Sequence, residues 1–162
     1  LTLIDGLGHG IDAAEAAQAG TAAAAARSGV DAEALIGHLH AAMSGTRGGA
    51  VAVASIEEGT LTFAGIGNIS GNLLSDDASR GLASMPGIVG AQFRKVQAFR
   101  LHAVPGSLLL MHSDGLQSRW NLRDYPGLQY RHPALIVAVL QRDFDRGRDD
   151  VCIVAVRTGA ME

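Results

Sequence analysis

The spacing of apolar positions changes several times along this chain, and each change marks an element. Leu1, Leu3 and Ile4 form a short apolar run stopped by Asp5 and Gly6, which predicts a buried strand ending in an acid. From Ile11 to Arg27 alanine, the best helix former, dominates and predicts a helix. Asp12, Glu15 and Gln18 give that helix one polar stripe, with Asp12 and Glu15 in the first turn, where the helix dipole favours acids. The remaining alanine surface allows close packing on a sheet, and Ser28-Gly29 ends the element. Asp31 is a good N-cap for a second helix running to about Met43. Leu35, Leu39 and Met43 recur every four residues with Ile36 beside them, giving one buried face.

Strands follow. Ala50–Ile56 and Leu61–Ile66 flank the turn Glu58-Gly59 and predict a hairpin. Further strands are expected over Ile69–Leu74, Gly81–Met85, Phe93–Leu101 and Ser107–Ser113, with a polar turn at 75–79 and a loop at Pro86–Gly90. Residues 116–131 are irregular. Pro133 suits the first turn of a helix to about Phe144, and Val151–Arg157 is the last strand. Short turns between the middle strands imply antiparallel pairing, and strands apolar on both faces must be covered on both. The predicted fold is therefore α+β, two packed antiparallel β-sheets flanked by helices. One domain is expected over 1–158, with a tail at 159–162. Leu1 already lies inside a strand, so the chain reads as a fragment that lacks at least one N-terminal partner strand.

Composition narrows the function. With 162 residues, 48% of them hydrophobic and 18% charged, a single well-packed domain is expected and disorder is not. A net charge of −3 gives no reason to expect nucleic acid as a partner. No apolar run approaches the roughly 20 residues of a membrane helix, and no signal-peptide pattern is visible, so no membrane is expected and the cytoplasm is the default. The single cysteine, Cys152, rules out an internal disulfide framework and a cysteine-rich zinc site. Within its apolar run it reads as a small core residue.

The candidate chemistry is acidic. Asp5, Asp114 and the pair Asp149-Asp150 stand at predicted strand ends, far apart in sequence. Carboxylate oxygens suit Mg²⁺ and Mn²⁺, and two such ions can activate a shared water for phosphoryl chemistry. Gly6, Gly8 and Gly10 are expected to take positive φ and let the backbone lie close to an ion or phosphate, with the Gly6 carbonyl as an additional ligand. Other residues carry weaker signals. His38 and His40 point to nearly opposite sides of a helix and cannot chelate together. Gly65-x-Gly67 lacks the strand–turn–helix context of a dinucleotide site, but Asn68 beside it stands where it could approach the acids from a neighbouring strand end. Arg47 reads as a surface arginine, with a phosphate clamp as the other reading. Trp120 and Tyr125 either cap the core or form a partner surface.

The acids also carry a resemblance. Asp5-Gly6-Leu7-Gly8-His9-Gly10 followed by an alanine-rich helix, His112-Ser113-Asp114-Gly115-Leu116, and Arg148-Asp149-Asp150-Val151 before an apolar strand resemble, in order, three blocks of the metal-dependent serine/threonine protein phosphatases of type 2C. The match is nearest to their bacterial SpoIIE-type branch. Gly65-Ile66-Gly67-Asn68-Ile69-Ser70 and Ser84-Met85-Pro86-Gly87 look most like the RsbX subgroup. The resemblance implies an α/β/β/α sandwich and two ions, Mn²⁺ or Mg²⁺, bridged by Asp5, bound by the Gly6 carbonyl and ligated by Asp114, Asp149 and Asp150, Asp149 ranking first of the pair. It implies catalysis through Asp5 and Asp114, with in-line attack by the bridged water and no phosphoenzyme. The implied substrate is phosphoserine or phosphothreonine on a bacterial regulatory protein of the stressosome or anti-sigma-antagonist type. The family's upstream Gly-Asp block is absent from this chain, and Cys152 replaces its usual Thr or Ser. His9 either passes a proton to the leaving oxygen or orients the glycine turn, and His112 reads as a supporting residue. The alternative reading is a non-catalytic module that keeps the phosphatase fold and binds a regulatory partner. A more distant one is an enzyme acting on a small phosphorylated molecule.

Overall fold

A computed structural model describes residues 1–27 and 29–159. Among them, β1 (Thr2–Gly6) is followed by α1 (Ile11–Ala25) and α2 (Ala32–Ala42), then by β2 (Gly49–Glu57), β3 (Thr60–Ile66), β4 (Ser70–Leu74) and β5 (Ser79–Leu82). A small hairpin, β6 (Gly87–Ile88) and β7 (Gln92–Phe93), precedes β8 (Ala98–His102) and β9 (Leu108–His112). The chain closes with two 3₁₀ turns, α3 (Pro133–Phe144) and β10 (Ile153–Arg157). Two four-stranded antiparallel sheets result, in the orders β1-β2-β3-β8 and β10-β9-β4-β5.

The alternation within single strands dictates four layers, because successive side chains point to opposite faces. On β2, Ala50, Ala52 and Ala54 face the second sheet, while Val51 and Val53 pack against α1 and α2. On β9, Leu109 and Met111 face the first sheet, while Leu108 and Leu110 meet Ile136 and Leu140 of α3. Both strands therefore read as continuous apolar runs rather than half-polar ones. Phe63 of β3 lies at the centre of the inter-sheet core, fully buried. A Cβ at Gly65 would strike the Ser84 hydroxyl and approach the Phe63 ring to 3.3 Å, and one at Gly71 would press on Leu82 at 3.0 Å and on the same ring at 3.3 Å, so glycine at both leaves room for these side chains. Asp31 caps α2 by accepting from the Ala34 amide at 2.8 Å, and Leu35, Ile36, Leu39 and Met43 are buried as the spacing required. On α1 the buried residues are Ala13, Ala16 and Gly20, the small face that lets this helix lie close to β1. No helix among the described residues is long and apolar enough to cross a membrane.

Several expectations are corrected. Phe93–Leu101 is not one strand. Phe93 pairs with Gly87 in the small hairpin, and pairing with β3 begins only at Ala98. The Ala98 amide donates to Glu33 of α2 at 2.9 Å, so a helix side chain captures the backbone where the alternating pattern implied a strand neighbour. The strand expected over Gly81–Met85 runs instead over Ser79–Leu82, and Met85 forms only an isolated parallel bridge with Ile66. The loop expected at Pro86–Gly90 contains β6, and the next residue, Val89, is held to β2 by two hydrogen bonds of 2.9 Å with Gly49. His40 has a packing role there, accepting from the Gly90 amide at 2.9 Å with its ring edge-on to Phe93. Cys152 is exposed and is not a core residue, since β10 begins one residue later. The helix stop at Ser28 and the tail beyond residue 159 lie outside the described residues.

Truncating Phe63 tests the layered core. Phe63→Ala should lower unfolding free energy by about 3–5 kcal/mol, as for a fully buried aromatic, read as a shifted urea midpoint. The exposed Leu135→Ala on α3 should change it by no more than about 0.5 kcal/mol.

Candidate functional site

The two sheets bring three distant segments to one rim. Asp5 lies on β1 opposite Ala50 of β2. Asp114 follows the last residues of β9, and Asp149 and Asp150 lie in the loop that enters β10. These four acids, with Gly6 and Asn68, line a single cavity of about 560 Å³. The Leu7–His9 turn forms another part of its wall.

Close backbone approaches hold these segments. Gly6 does not take the positive φ expected of it; that belongs to Gly8 (86°) and Gly10 (79°). Gly6 is glycine because a Cβ there would run into the Ala13 carbonyl of α1. Gly115 answers a similar demand, since its Cβ would strike the Asp150 carbonyl. Ser113, fully buried, ties the same two segments. Its amide donates to the Cys152 carbonyl at 3.0 Å, and its hydroxyl accepts from the Cys152 amide at 3.0 Å and donates to the Asp150 carbonyl at 3.3 Å. Ser113 and Gly115 flank Asp114 in the sequence motif, and their tasks are set by these contacts with the 150–152 segment. Serine directly before the acid and glycine directly after it were the signals available.

The electrostatics follow from this crowding. Asp5 is half-buried, and its pKa rises from an ordinary 3.8 to about 6, first through burial, then through the charges of Asp114, Asp149 and Asp150 in that order. Two of the neighbouring acids are already engaged. Asn68 donates to Asp114 Oδ2 at 2.5 Å across the link between the sheets, and Asp149 Oδ1 accepts the Asp150 amide at 2.9 Å. Asn68 thus joins the acids from the strand end beside them. Among the described residues no three Asp, Glu, His or Cys side chains converge tightly enough to form a ready-made ion cage. The donor set nonetheless fits a hard cation, because four carboxylates share one cavity, and burial together with the charges of the other three lets Asp5 keep its proton up to about pH 6.

The residues around the acids take varied places. His9 is exposed on the glycine turn and lines the cavity. Arg47 is exposed, paired with Asp12 at 2.7 Å, and stands beside Gly8. His112 is buried. Its Nδ1 lies 2.8 Å from the Ser113 carbonyl, and its Nε2 accepts from Trp120 Nε1 at 3.2 Å. That arrangement suits the neutral tautomer with the proton on Nδ1, and burial lowers its pKa. Trp120 packs against the core beside α3, and Tyr125 hydrogen-bonds Asp143 of α3 at 2.7 Å, so both secure the irregular 116–131 segment. Cys152 stands near the rim, its thiol pKa raised by partial burial and then by the Asp5 charge.

Two stacked antiparallel sheets with helices outside are the architecture of the type 2C phosphatases. A chain solved in work on the bacterial stressosome, "a modular system that has been adapted to control secondary messenger signaling", is 27% identical, with 97% of this chain and 83% of that chain covered at a TM-score of 0.86. RsbX in complex with magnesium is 22% identical, with 95% and 77% covered at a TM-score of 0.80. The catalytic domain of the serine/threonine phosphatase PstP in complex with two manganese ions is 19% identical, with 98% and 87% covered at a TM-score of 0.73. The sequence profile of the Stage II sporulation protein E (SpoIIE) family matches residues 1–159, and the chain belongs to that family. No curated protein matches the sequence.

Two measurements test this geometry. Ser113→Ala leaves the part-buried Cys152 amide without its side-chain acceptor, so stability should fall by about 1–3 kcal/mol and the Cys152 amide should exchange hydrogen faster. A carboxyl with a raised pKa favours its protonated form in the fold. The stability Asp5 contributes is therefore fully present below about pH 4, its unfolded range, and is lost as pH rises through about 6. In EDTA, Asp5→Asn should melt higher than the wild type at about pH 8 and lose this slope between about pH 4 and pH 6.

Proposed function

We propose that this domain is a Mg²⁺- or Mn²⁺-dependent phosphoserine/phosphothreonine protein phosphatase acting on a phosphorylated bacterial regulatory protein. The supporting observation is the crowding of Asp114, Asp149 and Asp150 around a half-buried Asp5 whose pKa reaches about 6. Such a site gains most when a cation replaces the retained proton. Asp5, Asp114, Asp149, Asp150 and the Gly6 carbonyl would hold the cations, Asp149 ahead of Asp150 because its charge bears more strongly on Asp5. Bound Mg²⁺ or Mn²⁺ supplies Lewis acidity towards phosphoryl oxygens and makes water a better nucleophile. Asn68 orients Asp114 through its short hydrogen bond. Water would attack phosphorus in line, the bond from phosphorus to the serine or threonine oxygen would break, and His9, which lines the cavity, would give that oxygen a proton.

The choice of partner rests on the company this fold keeps. A stressosome chain, RsbX and a protein carrying RsbU and RsbW domains are among its structural relatives. A regulatory protein of the stressosome or anti-sigma-antagonist type, met in the cytoplasm, is the substrate that fits. A second reading is a phosphatase-fold module that binds such a partner without hydrolysis.

Calorimetric titration with Mn²⁺ and Mg²⁺, run beside phosphate release from a phosphoserine peptide, separates the two. Catalysis requires saturable cation binding and turnover abolished by EDTA. Asp114→Asn should lower kcat by more than the roughly 10–100-fold typical of supporting residues, with its melting temperature retained. Absence of both binding and turnover would leave the module reading.

A further inference from the structure

Beside the acidic cavity lies a second one of opposite charge. It has a volume of about 530 Å³ and is lined by Gln117, Ser118, Arg119, Arg146 and Arg148, with no acid among them. Arg148 also lines the acidic cavity, so the two meet at that residue. Three of the 13 basic residues of a chain with net charge −3 thus stand along one cleft at the edge of the acids.

The cleft is built by paired loops. Leu116 bridges Asp145, the Gln117 amide donates to the Phe144 carbonyl at 2.9 Å, and the Arg146 amide donates to the Gly115 carbonyl at 3.0 Å. The nearest acids in sequence are turned to other tasks. Asp145 accepts from the Gly147 amide at 2.6 Å, and Asp149 from the Asp150 amide at 2.9 Å. Among the described residues the ion pairs are Arg47–Asp12 and Arg142–Asp143, so none within 4 Å involves Arg119, Arg146 or Arg148. The Arg146 charge is felt as far as buried His112, whose protonation it disfavours.

Unpaired guanidinium groups on backbone-anchored loops are ready to take carboxylates or phosphates in a fork geometry. An anionic substrate meeting four carboxylates at the rim also gains from adjacent positive charge that steers it in. A peptide with its phosphorylated side chain in the acidic cavity would lay neighbouring residues over Arg148 towards Arg119 and Arg146. We infer that this arginine cleft is a recognition subsite for acidic residues flanking the phosphorylated side chain of the substrate protein. The inference rests on the phosphatase reading of the adjacent cavity.

The test compares the wild type with Arg119→Glu/Arg146→Glu, leaving Arg148 intact because it also borders the acids. The probes are two phosphoserine peptides of equal length, one with acidic and one with neutral flanks, and para-nitrophenyl phosphate. The wild type should show a KM about tenfold lower for the acidic-flanked peptide, a preference that shrinks as salt is raised. The double variant should lose that preference while turning over para-nitrophenyl phosphate at the wild-type rate, and Arg119→Lys/Arg146→Lys should retain most of it. Equal wild-type KM values for the two peptides, or an equal loss on all three probes, would overturn the inference. If nothing is hydrolysed the phosphatase reading fails, and fluorescence anisotropy with the unphosphorylated acidic peptide judges the cleft alone. Salt-sensitive binding by the wild type but not by the double variant upholds it as an acidic-segment site. No binding, or equal binding of a single-stranded RNA of matched charge, overturns it.

Discussion

Face-to-face packing of the two sheets around Phe63 sets the distance on which the whole rim depends. Asp5 belongs to the first sheet, while Asp114, Asp149 and Asp150 are carried by the end of the second. Within the second sheet, pairing of β9 with β10 and the Ser113 hydrogen bonds align Asp114 with the Asp149-Asp150 loop. Between the sheets the tie at the rim is a side-chain one, Asn68 reaching Asp114 from the link that carries the chain across. The rest of that separation is maintained by apolar contact in the core, where interiors are packed too densely to give way. Small residues on the inner face, Ala50, Ala52, Gly65 and Gly71 among them, let the sheets close on a single central aromatic.

That frame also explains why charge of both signs gathers in one place. Burial of Asp5 within a group of carboxylates is unfavourable for the metal-free fold, and the backbone tolerates it because Gly6 and Gly115 permit approaches that any side chain would block. The same loop that delivers Asp149 and Asp150 also delivers Arg146 and Arg148. A turn of six residues, 145–150, therefore presents opposite charges to two adjoining cavities, and its own acids are partly spent on shaping its backbone. Arrangements of this kind, in which local stability is given up at a site, are expected where function and not folding selects the residues.

Much of this was legible in the chain itself. The four-residue spacing of Leu35, Leu39 and Met43, the Asp31 cap and the alanine face of α1 announce their helices through local propensity and one buried face, while the short apolar runs of β2, β3 and β9, bounded by turns, announce strands covered on both sides. The three acidic blocks were visible because two acid–glycine pairs after apolar runs and an acid pair leading into one are short-range signals, and they carried the family resemblance with them. What only the tertiary structure decided are matters of long-range contact. Whether 93–101 forms one strand depends on a helix glutamate taking the Ala98 amide. Whether Cys152 is buried depends on where pairing with β9 begins. The reason for glycine at position 6 is a carbonyl on a neighbouring helix, and Ser113 and the arginine cleft acquire their meaning only when residues tens of positions apart are laid side by side.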